Sequence, residues 1–169
     1  EFADGSEYVG QSVHPISRLA THRRRYKDIV AVRFTSVDRA DLEALPQHTE
    51  ELPIACVEGW SAIGQWSGVP FRTFLERIGA DTTARYVRFA CGDDYWTSID
   101  MPSALHPQTI LALDYAGAPL PPKYGFPVKL RIPTKLGFKN PKHIMAITVT
   151  NDYPGGYWED QGYNWFSGL

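Results

Sequence analysis

Apolar residues recur with helical spacing over one short segment of the chain. The i, i+3, i+4, i+7 spacing of an amphipathic helix is met by Phe71, Phe74, Leu75 and Ile78. Pro70 suits the first helical position and Gly79 suits the residue after the last turn, so we expect a helix over residues 70–78. A second, shorter helix is predicted over residues 38–45, where Asp38 can cap the first turn and Pro46 stops the last.

Most other apolar segments are short and rich in β-branched or aromatic residues, which predicts strands. These segments are residues 28–34, 52–56, 86–91, 95–99, 109–115, 127–132 and 144–150. Residues 58–61 are expected to form a break after the strand over residues 52–56. The sequence shows no internal repeat. Many strands with two or three helices predict an α+β fold. We expect an N-terminal arm over residues 1–27 and one domain over residues 28–169.

Composition narrows the class of protein. With 169 residues, 43% hydrophobic and 13% aromatic, the chain is long and apolar enough for one packed domain. No apolar run approaches the roughly 18 residues of a membrane-spanning helix. A net charge of −2 argues against a general nucleic-acid binder, and two cysteines are too few for a disulfide scaffold.

Charge is distributed unevenly along the chain. Residues 115–150 contain no acidic side chain, yet they contain Lys123, Lys129, Arg131, Lys135, Lys139 and Lys142. Cations this close together repel one another unless an anion joins them, and the interspersed glycines allow close backbone approach. The segment therefore indicates a site for a phosphate or another anionic cofactor. A solvated basic face and a nucleic-acid contact remain as alternatives.

Cys56 ends a predicted strand and precedes a turn that contains Glu58, Gly59 and Trp60. A thiolate at such a strand end can act as a nucleophile or as a soft metal ligand. Taken alone, an inert buried thiol is the competing interpretation. Cys91 also ends a predicted strand, and a disulfide between the two cysteines is a further alternative.

Familiar catalytic fingerprints are missing from the sequence. The histidines, none of which has metal-ligand spacing, are His14, His22, His48, His106 and His143. The sequence contains no CxxC or HExxH zinc pattern and no GxSxG nucleophile motif. GxGxxG and Walker A motifs are likewise absent, so nicotinamide and ATP chemistry lack sequence support.

A series of short motifs runs through residues 51–163, about two thirds of the chain. They are the segments 56–61 (CVEGWS), 68–70 (GVP), 106–107 (HP), 117–121 (GAPLP), 125–130 (GFPVKL), 133–139 (PTKLGFK), Lys142 and 156–159 (GYWE). The resemblance that these motifs carry, in this order, is to the molybdopterin-binding oxidoreductase domain of the sulfite oxidase superfamily, closest to the branch of bacterial methionine-sulfoxide reductase catalytic subunits. It implies a single-domain fold of mixed β-sheets with a few flanking helices.

The resemblance also implies a cofactor and its ligands. Cys56 would supply the protein thiolate to molybdenum, and a single pterin dithiolene would supply two further sulfurs. The cofactor-binding residues carried over are Tyr124, Lys129, Lys135, Gly137, Phe138, Lys139 and Lys142. Lys129 stands where the family usually has Arg, and Tyr124 stands where many members have His.

The activity implied is oxygen-atom transfer on a small or protein-bound S-oxide or N-oxide. Residues 57–61 lack the Arg of the sulfite-oxidising branch, which favours a neutral oxide, and Trp60, Tyr95 and Tyr157 are candidates for the substrate pocket. A separate membrane haem protein would exchange electrons, and the family places the domain outside the cytoplasm. A non-catalytic anion-binding module of the same fold and a nucleic-acid-binding domain are the alternatives.

Overall fold

Nine strands form two antiparallel sheets in the computed structural model, which describes residues 8–10 and 37–169. The strands are β1 (Tyr8–Gly10), β2 (His48–Ala55), β3 (Ser61–Pro70), β4 (Tyr86–Cys91), β5 (Trp96–Asp100), β6 (Ile110–Tyr115), β7 (Ala118–Pro119), β8 (Lys129–Arg131) and β9 (Ile144–Thr150). The first sheet has the order β1-β9-β4-β5. The second has the order β2-β3-β6-β7, with β8 also paired to β6.

Strand β6 joins the two hydrophobic cores of the protein. Its residues alternate between them, because successive side chains of a strand point to opposite faces. Leu111 and Leu113 belong to the main core, which is shared with both sheets, whereas Ile110 and Ala112 belong to a smaller cluster with Leu52, Trp66 and Leu120. Strand β6 is therefore buried on both faces, and the smaller cluster supports one face of the second sheet.

Among the described residues, three short α-helices flank the sheets: α1 (Arg39–Glu43), α2 (Phe71–Arg77) and α3 (Met101–Ala104). Helix α2 buries Phe71, Phe74 and Leu75 in the main core, as its helical spacing predicts. Gly79 follows it with a φ of 69°, in the left-handed region that favours glycine. No helix among the described residues is long and apolar enough to cross a membrane.

The α+β prediction is confirmed, and the strands predicted over residues 86–91 and 144–150 have those bounds in the structure. Strand β3 was not predicted, because it contains two glycines, two serines and a glutamine among its ten residues. Gly68 explains part of this composition: an added Cβ would lie 2.0 Å from the carbonyl oxygen of Leu111, so only glycine fits where β3 meets β6.

Several predictions fall on residues that lie outside the described ranges. These are the strand predicted over residues 28–34 and the histidines His14 and His22. Within the segment predicted as an arm, residues 8–10 form β1 and pair with β9, where Val9 lies opposite Ile147.

Candidate active site

One cavity of about 450 Å³ lies against the smaller core cluster and opens beside Cys56. The described residues that line it are Ile54, Cys56, Trp60, Ala62, Ile63, Gly64, Trp66, Tyr115, Lys123, Tyr124, Lys129, Gly137, Asn140 and Lys142. The β2–β3 hairpin supplies one wall, β6 and the 3₁₀ turn Pro122–Tyr124 supply another, and the segment from β8 to residue 142 completes it.

The hairpin wall follows the two-residue period of a β-strand. Alternate positions along β2, the turn and β3 line the cavity, namely Ile54, Cys56, Trp60, Ala62, Gly64 and Trp66. Strand pairing places Ile54 opposite Ala62 and Leu52 opposite Gly64, so these residues share one face of the sheet. The thiol and the indole of Trp66 therefore belong to the same surface.

Cys56 sits at the start of the hairpin turn. Its backbone N–H donates to the carbonyl of Trp60 at 2.9 Å, and its carbonyl accepts from the N–H of Gly59 at 3.1 Å. Gly59 has a φ of 91°, which the tight turn requires. The Sγ of Cys56 lies 3.8 Å from Oε2 of Glu58, which also accepts the indole N–H of Trp60 at 3.0 Å. The turn thus holds the half-buried thiol at the cavity wall.

Cys91 lacks the accessible position at the cavity that Cys56 has. It is buried at the end of β4, does not line the cavity, and burial together with the charge of Asp93 raises the pKa of its thiol to about 12. Both cysteines are free, so the disulfide alternative is not what the structure contains. Within the described ranges, no three His, Cys, Asp or Glu side chains cluster as a metal site.

Three of the side chains that line the cavity are cationic. Lys123, Lys129 and Lys142 line the cavity, and none of the described lining residues carries a carboxylate. Lys129 is only 6% exposed, and burial together with the charges of Arg131 and Lys142 lowers its pKa to about 7. Positive charge concentrated without an acidic partner favours an anionic ligand.

An aromatic cluster forms the floor between these walls. The rings of Trp66 and Tyr115 lie 4.7 Å apart between centroids, and those of Tyr115 and Tyr124 lie 4.6 Å apart. All three belong to the smaller core cluster or pack against it. The floor is therefore rigid and apolar, as binding sites for ring-containing ligands usually are.

Gly137 brings backbone to the cavity. A Cβ added there would lie 3.4 Å from the carbonyl oxygen of Ala55, the residue before Cys56. Phe138, the next residue in the 3₁₀ turn Gly137–Lys139, does not line the cavity. Its carbonyl accepts the hydroxyl of Tyr95 at 2.6 Å, and its ring packs on Tyr163. The structure thus brings Gly137 to the site and turns Phe138 toward the C-terminal segment.

Lys135 and Lys139 are not brought to this cavity, contrary to the cofactor-binding role implied for them. Both ammonium groups are buried against carboxylates: Lys139 contacts Glu159 at 2.5 Å, and Lys135 contacts Asp100 at 3.0 Å. Burial lowers the pKa of each lysine, and its carboxylate partner acts in the opposite direction. These cations tie residues 135–139 to the rest of the fold, and internal acids satisfy their charge.

Of the three predicted substrate-pocket residues, only Trp60 lines the cavity. Tyr95 and Tyr157 lie together elsewhere, with ring centroids 6.0 Å apart, and the N–H of Tyr157 donates to the carbonyl of Trp96 at 2.9 Å. They do not line this cavity, because β5 and the C-terminal segment hold them in a separate aromatic cluster, and their role in substrate binding stays a prediction.

Several lining residues were not predicted: Ile54, Ala62, Ile63, Gly64, Trp66, Tyr115, Lys123 and Asn140. Lys123 lies in the acid-free segment and could have been chosen on charge alone. The period of two from Ile54 to Trp66 would have identified most of the others, had β3 been recognised as the partner of β2. Asn140 had no signal in the sequence.

Comparisons with known proteins identify a family and several relatives to which the chain is similar. The family described as the oxidoreductase molybdopterin binding domain matches residues 13–158. A protein of Azospira oryzae named as a protein-methionine-sulfoxide reductase subunit, YedZ1, is 68% identical over 128 residues, which is 76% of this chain and 49% of that protein. The catalytic subunit MsrP of Xanthomonas campestris, named as a protein-methionine-sulfoxide reductase, is 35% identical over 134 residues, covering 69% and 42%.

A further relative in sequence and one solved structure are also similar to the chain. The uncharacterised oxidoreductase YuiH of Bacillus subtilis is 30% identical over 125 residues, covering 73% of this chain and 63% of that protein. The crystal structure of the sulfane dehydrogenase SoxCD from Paracoccus pantotrophus matches with a TM-score of 0.63 at 17% identity, over 69% of this chain and 35% of that one. The chain spans about half the length of the first two relatives.

Proposed function

Because the chain belongs to the oxidoreductase molybdopterin-binding domain family, we propose that its cavity binds a mono-pterin molybdenum cofactor, with Cys56 as the protein ligand of the metal. The observation that carries this proposal is the pairing, in one cavity, of a single thiol with a carboxylate-free set of lysines. Thiolate is the soft donor that such a metal takes, and cations suit the phosphate that the cofactor carries.

The residues present fit this cofactor. Lys129 and Lys142 supply charge to the cavity that Cys56 also lines, and Gly137 presents backbone without a side chain in the way. The floor of Trp66 and Tyr115 offers an apolar surface of the kind that binds fused rings. Tyr124 stays in the proposed binding set because it lines the cavity, whereas Lys135, Phe138 and Lys139 act at a distance by holding Gly137 in place.

The bound molybdenum centre would supply oxygen-atom transfer: an S-oxide is reduced to the sulfide and water by two electrons and two protons. The chain positions this chemistry. The hairpin turn fixes Cys56, and Glu58 holds the indole of Trp60 at the rim through a hydrogen bond of 3.0 Å. Electrons come from a separate protein in this proposal, and we infer from the family a membrane haem partner and a location outside the cytoplasm.

A neutral oxide suits the rim of the cavity better than an oxyanion. The turn from Val57 to Ser61 contains no Arg, and Val57, Trp60 and Ile63 are 46%, 51% and 75% exposed. An exposed apolar rim can contact the alkyl groups on the sulfur of a sulfoxide, whether the substrate is small or lies on a protein surface. Two of the relatives carry protein-methionine-sulfoxide reductase in their names, which supports this substrate class.

Nucleic acid is the weaker alternative. Lys129, Arg131, Lys135 and Lys139 are all buried, so four of the six cations in the acid-free segment are out of reach of a phosphodiester backbone at the surface. The non-catalytic module differs from the enzyme only in lacking metal, and elemental analysis distinguishes the two.

The test is the molybdenum content of protein purified from a host that makes the cofactor, with Cys56→Ser compared with Cys91→Ser. We expect about one molybdenum per wild-type chain and per Cys91→Ser chain, and sulfoxide reduction by both after chemical reduction. Cys56→Ser should lose activity while its unfolding midpoint stays near that of wild type, because Cys56 is a turn residue outside both hydrophobic cores. Full activity in Cys56→Ser, or wild-type chains that retain pterin without molybdenum, would overturn the proposal.

A further inference from the structure

Arg131 is a fully buried cation that the proposed function has not used. It lies two residues after Lys129 in β8, so the two side chains share one face of the strand. Its Nη1 donates to Oδ1 of Asn140 and its Nη2 to the carbonyl of Pro53 at 2.7 Å. Its Nε has no partner within the part of the chain that the structure describes. Arg131 does not line the cavity itself.

The charge of Arg131 lacks an acidic counterpart among the described residues. Burial lowers the pKa of its guanidinium to about 10, so it remains charged at neutral pH. Lys135 and Lys139 are buried as well, but each contacts a carboxylate. A buried cation that has only carbonyl acceptors is costly, because neutral dipoles offset part of its lost hydration and no opposite charge offsets the rest.

Trp66 connects this charge to the cavity. Cζ of Arg131 lies 5.1 Å from the centre of the Trp66 ring, and Nζ of Lys129 lies 5.4 Å from it. Cation–π contact stabilises each cation in part. An anion bound at Lys129 favours the protonated ammonium, and the bound anion is then stabilised by the positive charges of both Lys129 and Arg131. Asn140, a lining residue, accepts from Arg131 and from the N–H of Ile132, which fixes its amide.

We propose that Arg131 is a positioning residue which, through Lys129, Trp66 and Asn140, makes the cavity select a doubly charged phosphate over a singly charged anion. The proposal rests on the proposed function, because the phosphate monoester of the cofactor is the ligand that this selection suits. Arg131 acts without touching the ligand. Its positive charge, added to that of Lys129, contributes little to the binding free energy of a weakly charged ligand and more as the ligand charge increases.

Two probes of similar shape isolate ligand charge. At about pH 7.5, above the second phosphate pKa of about 6, methyl phosphate carries two negative charges, whereas dimethyl phosphate carries one at any pH. Calorimetry at low salt on protein made without the cofactor gives the affinity for each. We expect wild type to prefer methyl phosphate by roughly tenfold or more, the range of one charge-assisted contact.

Arg131→Met should reduce this preference to below about threefold while changing dimethyl phosphate affinity much less. Arg131→Lys, which keeps the charge and loses the fork, should retain most of the preference and keeps the test usable if Arg131→Met fails to fold. Arg72→Met is the matched control, since Arg72 is an exposed arginine that donates to the carbonyl of Leu105 and does not line the cavity. It should leave both affinities unchanged.

The outcomes separate this inference from the proposed function. A wild-type protein that binds both probes equally, or a preference that survives in Arg131→Met, overturns the role of Arg131 even if the chain binds molybdenum. A preference that depends on Arg131 supports that role, and molybdenum content measured separately decides whether the cofactor is the ligand.

Discussion

Replacing Lys129 by Met removes a buried ammonium from the cavity wall, and we expect the protein without cofactor to become more stable. The ordinary pKa of this lysine is 10.5, and burial with the charges of Arg131 and Lys142 lowers it to about 7 in the fold. Between those values the unfolded chain binds the proton and the folded chain does not. The free energy of unfolding therefore rises with pH across this window, and this contribution is flat below about pH 7.

The size of this stability effect follows from how far the pKa of Lys129 is lowered in the fold. One pKa unit corresponds to about 1.4 kcal/mol, so the charged Lys129 costs up to about 4 kcal/mol at pH 7 relative to a neutral side chain. Between about pH 7 and pH 9 the wild-type protein should gain about 2 kcal/mol that Lys129→Met does not gain. The range ends at the ordinary pKa of 9.0 for Cys91, above which a second group contributes.

Urea unfolding of both proteins at several pH values, without cofactor, measures this difference. Lys123→Met is the control, because Lys123 is exposed and is not among the charges that lower the pKa of Lys129. It should show the wild-type pH dependence. Parallel pH profiles for wild type and Lys129→Met would refute the reasoning, because they would mean that Lys129 keeps an ordinary pKa in the fold.

The same substitution should reduce cofactor content when the host supplies cofactor. Lys129→Arg, which restores the residue that the family usually has, should retain both cofactor and charge. If Lys129→Met gains stability and loses cofactor, the Lys129 ammonium serves ligand binding at the expense of stability, as is common at functional sites.

Three further predictions concern the rest of the fold. Burial raises the pKa of Cys91 from 9.0 to about 12, so above pH 9 wild type should lose up to about 1.4 kcal/mol of stability per pH unit relative to Cys91→Ala, measured as the difference between the two proteins in alkaline urea titrations. Glu159→Gln leaves the ammonium of Lys139 buried without its partner and should cost about 3–5 kcal/mol in urea unfolding, whereas a double change of both residues to Met should recover much of it. Gly68→Ala places a methyl group 2.0 Å from the carbonyl oxygen of Leu111 and should cost more than about 3 kcal/mol, measured by the unfolding midpoint; a wild-type midpoint would mean that β3 and β6 can separate locally at little cost.

Sequence reasoning found the elements whose side chains repeat with a clear period. The spacing of Phe71, Phe74 and Leu75 located α2, and the β-branched run from Ile144 to Thr150 located β9. Strand β3 was missed because its pairing depends on small residues that fit against a neighbour, and that requirement is invisible until the neighbour is known. Cys56 drew attention in the sequence because a strand end and a turn are local features, and the structure places it in the cavity lining.

The aromatic residues show the opposite limit. Trp66, Tyr115 and Tyr157 are equally prominent in the sequence, yet only the first two line the cavity. Which face an aromatic side chain occupies depends on strand register, since a shift of one residue moves the whole strand to the other face. Register between β3 and β6 even changes at Ser67–Gly68, so no count along the sequence could have placed Trp66 opposite Tyr115.

In the acid-free segment, residues 115–150, one feature could be predicted from the sequence and another depends on the tertiary fold. Six cations in 20 positions indicate an anion, but Asp100 and Glu159, which lie outside that segment, neutralise two of them. The charge that the cavity offers a ligand is therefore smaller than the segment suggests, and it is held by Lys129 and Arg131 behind the exposed Lys123 and Lys142. An internal carboxylate offsets the charge of a buried cation within the fold, whereas a buried cation without one destabilises the fold until a ligand supplies the charge. Contact with a carboxylate, which depends on the tertiary fold, thus separates structural from ligand-binding lysines within a single run of sequence.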